Sequence, residues 1–351
     1  MKTIQIVSPF LSGHGGTETV IGMVMSNQEL KQSYHFQLFL SSGTSDSSWI
    51  DKFELSSDQV KSAPSNKIIQ LGTIIAYFAN SKSDIVICMT GRIVEIAFYV
   101  RKVFHKKYKI VSWIHFSLFD EKNVRYNKLH LADRHLAISS GIVEQLVSLG
   151  INEEDCYLVY NPVNVEKQVV INNKVKNEFV FIGRPELQGQ KNLYEMFSIL
   201  QQLKNYWHLT IYGSGEGLEE TKKFVEDNGI INHVTFEGWV AEPWKHIHSA
   251  TAVLLTSRYE GFPMVLVESL SHGIPVISSD CPVGPKDIVD NKHNGFLYTL
   301  GNIKQAALYL NSLNESTPLF STENVKNSIN KFSTVNYNKR FIKALNFEEN
   351  E

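Results

Sequence analysis

The chain has 351 residues, 43% of them hydrophobic, with 34 Lys and Arg against 36 Asp and Glu for a formal charge of −2. That length suits two domains of about 100–200 residues, with apolar material for two cores. The balanced charge excludes a generally basic nucleic-acid binder and an acidic disordered chain, and no apolar run approaches the ~20 residues of a membrane span. The opening MKTIQIVSPF holds one basic residue and no small-residue cleavage site, so no secretory leader is expected. Cys88, Cys156 and Cys281 are scattered and odd in number, which points to a reduced, cytoplasmic chain without disulfides or a zinc knuckle.

Thr3–Val7 is the first predicted strand, followed by Ser12-Gly-His-Gly-Gly16-Thr-Glu18-Thr. Gly15 and Gly16 at this first strand-to-helix turn let the backbone approach a phosphate or an acceptor, or serve as a plain turn. Ile21, Val24 and Met25 have helical spacing. The strand Phe36–Leu40 carries no acid at its end, where a nicotinamide-dinucleotide enzyme needs one for the ribose. After the strand Ile85–Cys88, residues 92 to 134 hold ten basic and four acidic side chains, a local +6. Within that stretch Ile93–Lys107 reads as a helix mixing charge with Phe98, Tyr99, Val103 and Phe104. Three readings stay open: docking on an anionic membrane leaflet, binding of a phosphorylated glycolipid, and an ordinary solvated face. His115 follows the strand Lys109–Trp113; burial frequencies favour a structural group there, position favours a site. Leu136–Ile138, a helix with Ile142, Leu146 and Leu149, and the strand Tyr157–Val159 complete the first half. The polar stretch Asn161 to Asn177, with Pro162 and no apolar period, marks a boundary between domains at 1–166 and 167–332.

The second half repeats the pattern with strands at Phe179–Ile182, Leu209–Tyr212, Val234–Phe236, Ala252–Leu255 and Pro275–Ser278. Arg184 ends the first of these, and Lys191 opens the helix after it. Gly213-Ser-Gly215-Glu-Gly217 follows the second strand and resembles a dinucleotide fingerprint, with Glu237 at a distance suited to a ribose hydroxyl. His246 and His248 read as surface histidines on a helix. The strongest local signal runs from Arg258 to Pro275. Pro263 suits the first position of a helix, Gly273 suits its end, and the amides at such a start favour an anionic ligand. Glu260 lies before that helix and Glu268 on it, so the two can accept hydroxyl hydrogen bonds from separate parts of one extended ligand. Phe332 to Phe347 reads as a last helix packing back on the first domain, and Glu348–Glu351 as a frayed end. Continuous apolar strands alternating with helices, twice over, give an α/β class of two doubly wound, Rossmann-like domains facing across a cleft.

The pattern resembles the retaining glycosyltransferases of family 4, which have the two-Rossmann fold named GT-B. Their two glutamates separated by seven residues correspond to Glu260 and Glu268. Further matching segments are Ser12 to Thr19, Trp113-Ile-His115-Phe-Ser-Leu, His135 to Gly141, Tyr160-Asn-Pro-Val163, Gly183-Arg184 with Gly189-Gln-Lys191, and Ser278 to Asp287. Together these look most like lipopolysaccharide 1,6-galactosyltransferases of the bacterial outer core.

The resemblance implies that Arg184 and Lys191 clamp the donor diphosphate, that Glu260 contacts the transferred sugar and that His115 orients it. It implies that Glu268 takes the ribose hydroxyls, that Gly261 and Phe262 offer backbone amides and that Trp239 flanks the base. Gly213 and Gly215 would line the nucleotide site, and Gly15 and Gly16 would approach phosphate or acceptor. The implied reaction moves a hexose, galactose from UDP-galactose first among candidates, to a glycolipid acceptor at the inner face of the cytoplasmic membrane. No cofactor is implied. No Asp-x-Asp, His-Glu-x-x-His or Gly-x-Ser-x-Gly occurs in the chain, which favours metal-independent transfer over a manganese site, zinc chemistry or a serine hydrolase. The alternatives are a glucosyl or N-acetylhexosaminyl transferase acting on a polyprenyl-linked glycan, an NAD-binding oxidoreductase using Gly213–Gly217, and a catalytically silent sugar binder.

Overall fold

A computed structural model of the chain describes residues 1–64, 67–121, 124–164, 176–313 and 319–347. Lys122 of the basic stretch, residues 165–175 of the boundary segment and the Glu348–Glu351 end lie outside the described residues. Two compact units emerge: Met1–Pro162 with Val335–Glu351, and Val163–Thr334. The division thus falls at Pro162 and Thr334, against sequence-based limits of 166 and 332.

Among the described residues the first unit contains β1 (Lys2–Ser8), β2 (Tyr34–Leu40), β3 (Val60–Ser62), β4 (Ile85–Cys88), β5 (Lys109–Ile114), β6 (Arg134–Ala137) and β7 (Cys156–Leu158). They form one parallel sheet in the order β3-β2-β1-β4-β5-β6-β7. All four side chains of β4 are buried, as expected for a parallel strand covered on both faces. The second unit contains β8 (Glu178–Ile182), β9 (His208–Tyr212), β10 (Val234–Gly238), β11 (Ala252–Leu255), β12 (Val276–Ser279) and β13 (Gly295–Tyr298). Its sheet is also parallel, in the order β10-β9-β8-β11-β12-β13. In both sheets the winding reverses between neighbouring strands, β1 and β4 in one, β8 and β11 in the other. The loops leaving those strands emerge side by side at the carboxyl edge, where doubly wound sheets bind ligands.

The helix Thr334–Leu345 packs in the first unit. Phe341 lies 6.5 Å from Phe36 and 6.2 Å from Trp113, ring centre to ring centre. Arg340 Nε donates to the Val159 carbonyl at 3.1 Å, and Arg134 Nη1 donates to the carbonyls of Ala344 and Asn346 at 2.9 Å each. The two Arg134 bonds satisfy carbonyls that would otherwise be orphaned at the helix end.

Four details differ from the sequence reading. β3 and β13 were not expected. The helix expected over Ile93–Lys107 runs Gly91–Val103, capped by Thr90 and ended by His105 in the left-handed region at φ +52°. Pro263 precedes the helix Met264–Ser271 instead of opening it. His246 and His248 are exposed, but they lie in a loop after the short 3-10 turn Pro243–Lys245, not on a helix.

Candidate active site

In the second unit, the loop leaving β8 carries Arg184 and Lys191, and the loop leaving β11 carries Glu260. Because β8 and β11 are neighbours at the switch point, two residues 69 apart in sequence meet: Lys191 Nζ donates to Glu260 Oε1 at 2.7 Å. The pair is largely sequestered, with side-chain exposures of 15% and 8%. Buried ion pairs hold only when each charge keeps its partner, so this pair fixes both side chains.

Further bonds join the two loops. The Arg258 amide donates to the Gln190 carbonyl at 2.9 Å, and Thr256 Oγ1 donates to the Lys191 and Asn192 carbonyls at 2.9 and 3.0 Å. Asn192, in the left-handed region at φ +52°, holds the buried Glu195 through Nδ2 at 2.7 Å and accepts from Arg258 Nη2 at 3.2 Å. Arg184 contrasts with Lys191, being 64% exposed and reaching Glu186 at 3.5 Å.

The glycine turn Gly213–Gly217 lies against the first of these loops. Gly213 adopts φ +148°, and any side-chain carbon there would overlap the Gly183 carbonyl oxygen. A carbon on Gly215 would touch Arg184 Cβ at 3.7 Å. The need for glycine at 213 is therefore close packing between two loops. The Gly213 amide donates to the Gly238 carbonyl at 2.6 Å, which brings the half-exposed Trp239 beside the same turn. Glu237, the ribose acid of the dinucleotide reading, is exposed at the irregular end of β10.

Glu268 sits on the helix Met264–Ser271, where Trp244 Nε1 donates to its Oε2 at 2.9 Å. The Trp244 ring in turn stacks on His272 at 4.8 Å. Phe262 directs its ring inward against Phe332, 5.2 Å away. The adjacent Gly261 amide donates to no partner among the described residues. Cys281 is buried, its thiol pushed up to about 12 by burial and by the nearby Glu260 charge, so it stays protonated.

In the first unit, Gly15 caps the helix Gly16–Ser26 at the end of the glycine loop. Glu18 is 3% exposed and folds back on that loop, accepting from the Gly13 amide at 2.8 Å and from Ser12 Oγ at 3.1 Å. His115 follows β5, edge-on to Trp113 at 4.5 Å. Burial pushes its imidazole down to about 3, so the ring is neutral near pH 7. Its Nε2 is buried and finds no hydrogen-bond partner among the described residues, as do Ser8 Oγ and Ser139 Oγ at the same edge of the sheet. Among the described residues, no group of three or more His, Cys, Asp or Glu side chains converges to hold a metal ion.

Residues 164–331 match the family described as glycosyl transferases group 1. The chain is 34% identical over 97% of its length, and 98% of the relative's, to a lipopolysaccharide 1,6-galactosyltransferase of Salmonella typhimurium. It is 33% identical to the enzyme of the same name from Escherichia coli, with 97% of each chain covered. It belongs to the group 1 glycosyltransferases. A solved structure of the lipopolysaccharide outer core galactosyltransferase WaaB in its apo form superposes with a TM-score of 0.84 at 32% identity, covering 97% of this chain and 98% of that one. The fold is accordingly the GT-B fold of two Rossmann-like domains.

For this glycosyltransferase, the structure unites Arg184, Lys191, Gly213, Gly215 and Glu260 in one cluster and sets Glu268 on the adjoining helix. Three contributors were not anticipated: Gln190 and Asn192, which link the loops, and Trp244, which holds Glu268. Only the short Gln-Lys-Asn run beside Lys191 hinted at the first two. For Trp244, 24 residues before Glu268, the sequence held no signal. Glu18 was visible within the glycine motif, without a role.

Proposed function

We propose that this glycosyltransferase moves a hexose from a UDP-sugar, galactose first among candidates, to a sugar of a lipopolysaccharide core, retaining the anomeric configuration and using no metal. The observation that carries the reading is the meeting of Lys191 and Glu260 beside Arg184 at the switch point. The near-full-length relatives, named as lipopolysaccharide 1,6-galactosyltransferases, suggest donor and acceptor. In this reading the acceptor hydroxyl forms the new bond to the anomeric carbon as the bond to the diphosphate oxygen breaks. The departing phosphate takes the hydroxyl proton, and UDP leaves. Arg184 and Lys191 stabilise the charge growing on the diphosphate, a role a metal would otherwise fill. Glu260 accepts hydroxyl hydrogen bonds from the sugar and Glu268 from the ribose. His115, neutral and with no partner for Nε2 among the described residues, is the first unit's candidate to hold a hydroxyl ligand, as donor or acceptor and not as an acid.

UDP release from UDP-galactose, UDP-glucose and UDP-N-acetylhexosamine, with core glycolipid and with added EDTA, tests this. Glycolipid-dependent turnover of UDP-galactose that survives EDTA supports it. Turnover of another sugar or another acceptor keeps the chemistry and changes the substrate. Loss with EDTA removes the metal-independent part, and NADH binding without UDP release overturns the whole.

Membrane contact belongs to the same proposal, on a narrower surface than residues 92–134. Arg101 pairs with Asp133, Lys128 pairs with Glu95 and Arg134 is buried under the last helix, so these charges face no lipid. Outward on the helix Gly91–Val103 and just beyond it are Arg92 at its start and, at its end, Tyr99, Val103, Phe104 and His105 among Lys102 and Lys107. No helix among the described residues is long and apolar enough to cross a membrane. Apolar side chains ringed by lysines fit an anionic lipid surface. Co-sedimentation with phosphatidylglycerol vesicles, absent with phosphatidylcholine and lost in a Val103→Glu, Phe104→Glu variant, is the expected result. Equal binding to both lipids overturns it.

A further inference from the structure

Gln190 stands between the two halves of the site. Its Oε1 accepts from Arg184 Nη2 at 3.1 Å, and its Nε2 donates to the Tyr259 carbonyl at 3.0 Å. The two partners settle the amide orientation, since a guanidinium only donates and a carbonyl only accepts. The backbone of Gln190 adds a third link, its carbonyl accepting from the Arg258 amide. The Tyr259 carbonyl belongs to the peptide that enters Glu260, so holding it fixes the plane from which the Glu260 side chain departs.

We infer that Gln190 is a positioning residue that couples the Arg184 guanidinium to the Glu260 loop, so that a donor's diphosphate and its sugar are aligned together. The inference rests on the reading of this cluster as a diphosphate-sugar site. The chemistry favours an amide there. Arg184 is largely exposed, and Glu186 touches its inner Nε edge at 3.5 Å. A neutral carbonyl on the outer edge orients the fork without cancelling its charge, which stays available to a phosphate. A carboxylate of the same shape would cancel that charge, repel a diphosphate and face the Tyr259 carbonyl with no proton to give. A methionine would fill the space and make neither bond.

The test combines UDP affinity by calorimetry with UDP-hexose turnover for wild type, Gln190→Met, Gln190→Glu, Arg184→Ala and the double variant Arg184→Ala, Gln190→Met. Gln190→Met should weaken UDP binding about 10-fold, because a hydrogen bond to a charged group is lost, and lower kcat by a similar or larger factor. Gln190→Glu should weaken UDP binding more than the methionine does. Once Arg184 is already Ala, the methionine should change UDP affinity less than about twofold while still lowering kcat, since only the Tyr259 arm is left to lose. Thermal unfolding within a few degrees of wild type identifies these as effects of placement. Additive losses of UDP affinity in the double variant, or a Gln190→Met enzyme with wild-type affinity and kcat, overturn the inference alone. Failure of the wild type to bind UDP overturns it together with the donor reading.

Discussion

The first loop of each unit leaves the same place in the same winding, after β1 in one and after β8 in the other, yet the two are held differently. The loop after β1 is tied down by Glu18, from the helix that immediately follows, and on one side by the loop after β2, where the Leu11 amide donates to the Gly43 carbonyl at 3.1 Å, the Leu11 carbonyl accepts from the Ser45 amide at 3.2 Å, and His14 lies 3.5 Å from Asp46. The loop after β8 is tied down by distant segments: Gly213 presses on it from one side, and Thr256, Arg258, Tyr259 and Glu260 bond to it from the other. A loop held by two neighbours is part of a built site, and a change at any contact is felt at the cations it carries. The polar atoms differ in the same sense: the Lys191–Glu260 charges satisfy each other, while His115 Nε2 in the first unit has no partner among the described residues.

The comparison can be broken at several points. The largest effect is expected from Glu260→Ala, which should lower transfer about a thousandfold, as loss of a group acting on the reacting centre does, while UDP binding persists. UDP release and UDP calorimetry on one preparation check this, and turnover near the wild-type rate would remove Glu260 from the chemistry. Next, Lys191→Ala leaves a carboxylate of 7% exposure without its counter-charge and should cost about 3 kcal/mol in urea unfolding. Lys191→Ala combined with Glu260→Gln should recover much of that loss.

The two glycine loops give a direct contrast. Gly213→Ala places a carbon against a backbone carbonyl at a backbone angle that suits glycine, and should cost about 2–3 kcal/mol along with nucleotide affinity. Gly15→Ala meets only the movable end of Glu18, at 2.7 Å, and should cost about 1 kcal/mol. Equal costs would erase the distinction between the loops.

The smallest effect concerns acid. His115 is held well below its ordinary 6.5 when folded, so the unfolded chain binds its proton first. Stability from this group is complete above about pH 6.5 and is lost as pH falls towards about 3. Between pH 7 and pH 6 the loss is about 0.7 kcal/mol, and a His115→Asn variant should show a shallower decline by that amount.

Most of the fold was legible because its strands are continuous apolar runs, a pattern that parallel sheets covered on both faces require. β3 escaped because it is three residues long at a sheet edge, with Lys61 and Ser62 exposed. β13 escaped because it starts at a glycine directly after the polar run Asn291 to Asn294. The site residues were legible one by one. Their pairings were not: whether Lys191 meets Glu260 depends on β8 lying beside β11, which topology decides and spacing does not. Trp244 meets Glu268 across a loop whose path no periodicity marks. The basic stretch shows the same limit: its charge count includes Asp133 and Glu95 but not that they engage Arg101 and Lys128.

The return of the chain to its starting unit sets an order of events during synthesis. Residues 335–347 are made after the whole of the second unit, yet they supply Tyr337 and Phe341, which close the core around Phe36 and Trp113. The second unit can finish folding while its chain is still tethered, whereas the first must wait, with one flank of its sheet uncovered, until the residues after Thr334 are made. A chain cut after Thr334 would therefore carry all of the second unit and a first unit that lacks the last helix. Cleavage of the last helix in the mature protein would return it to that state.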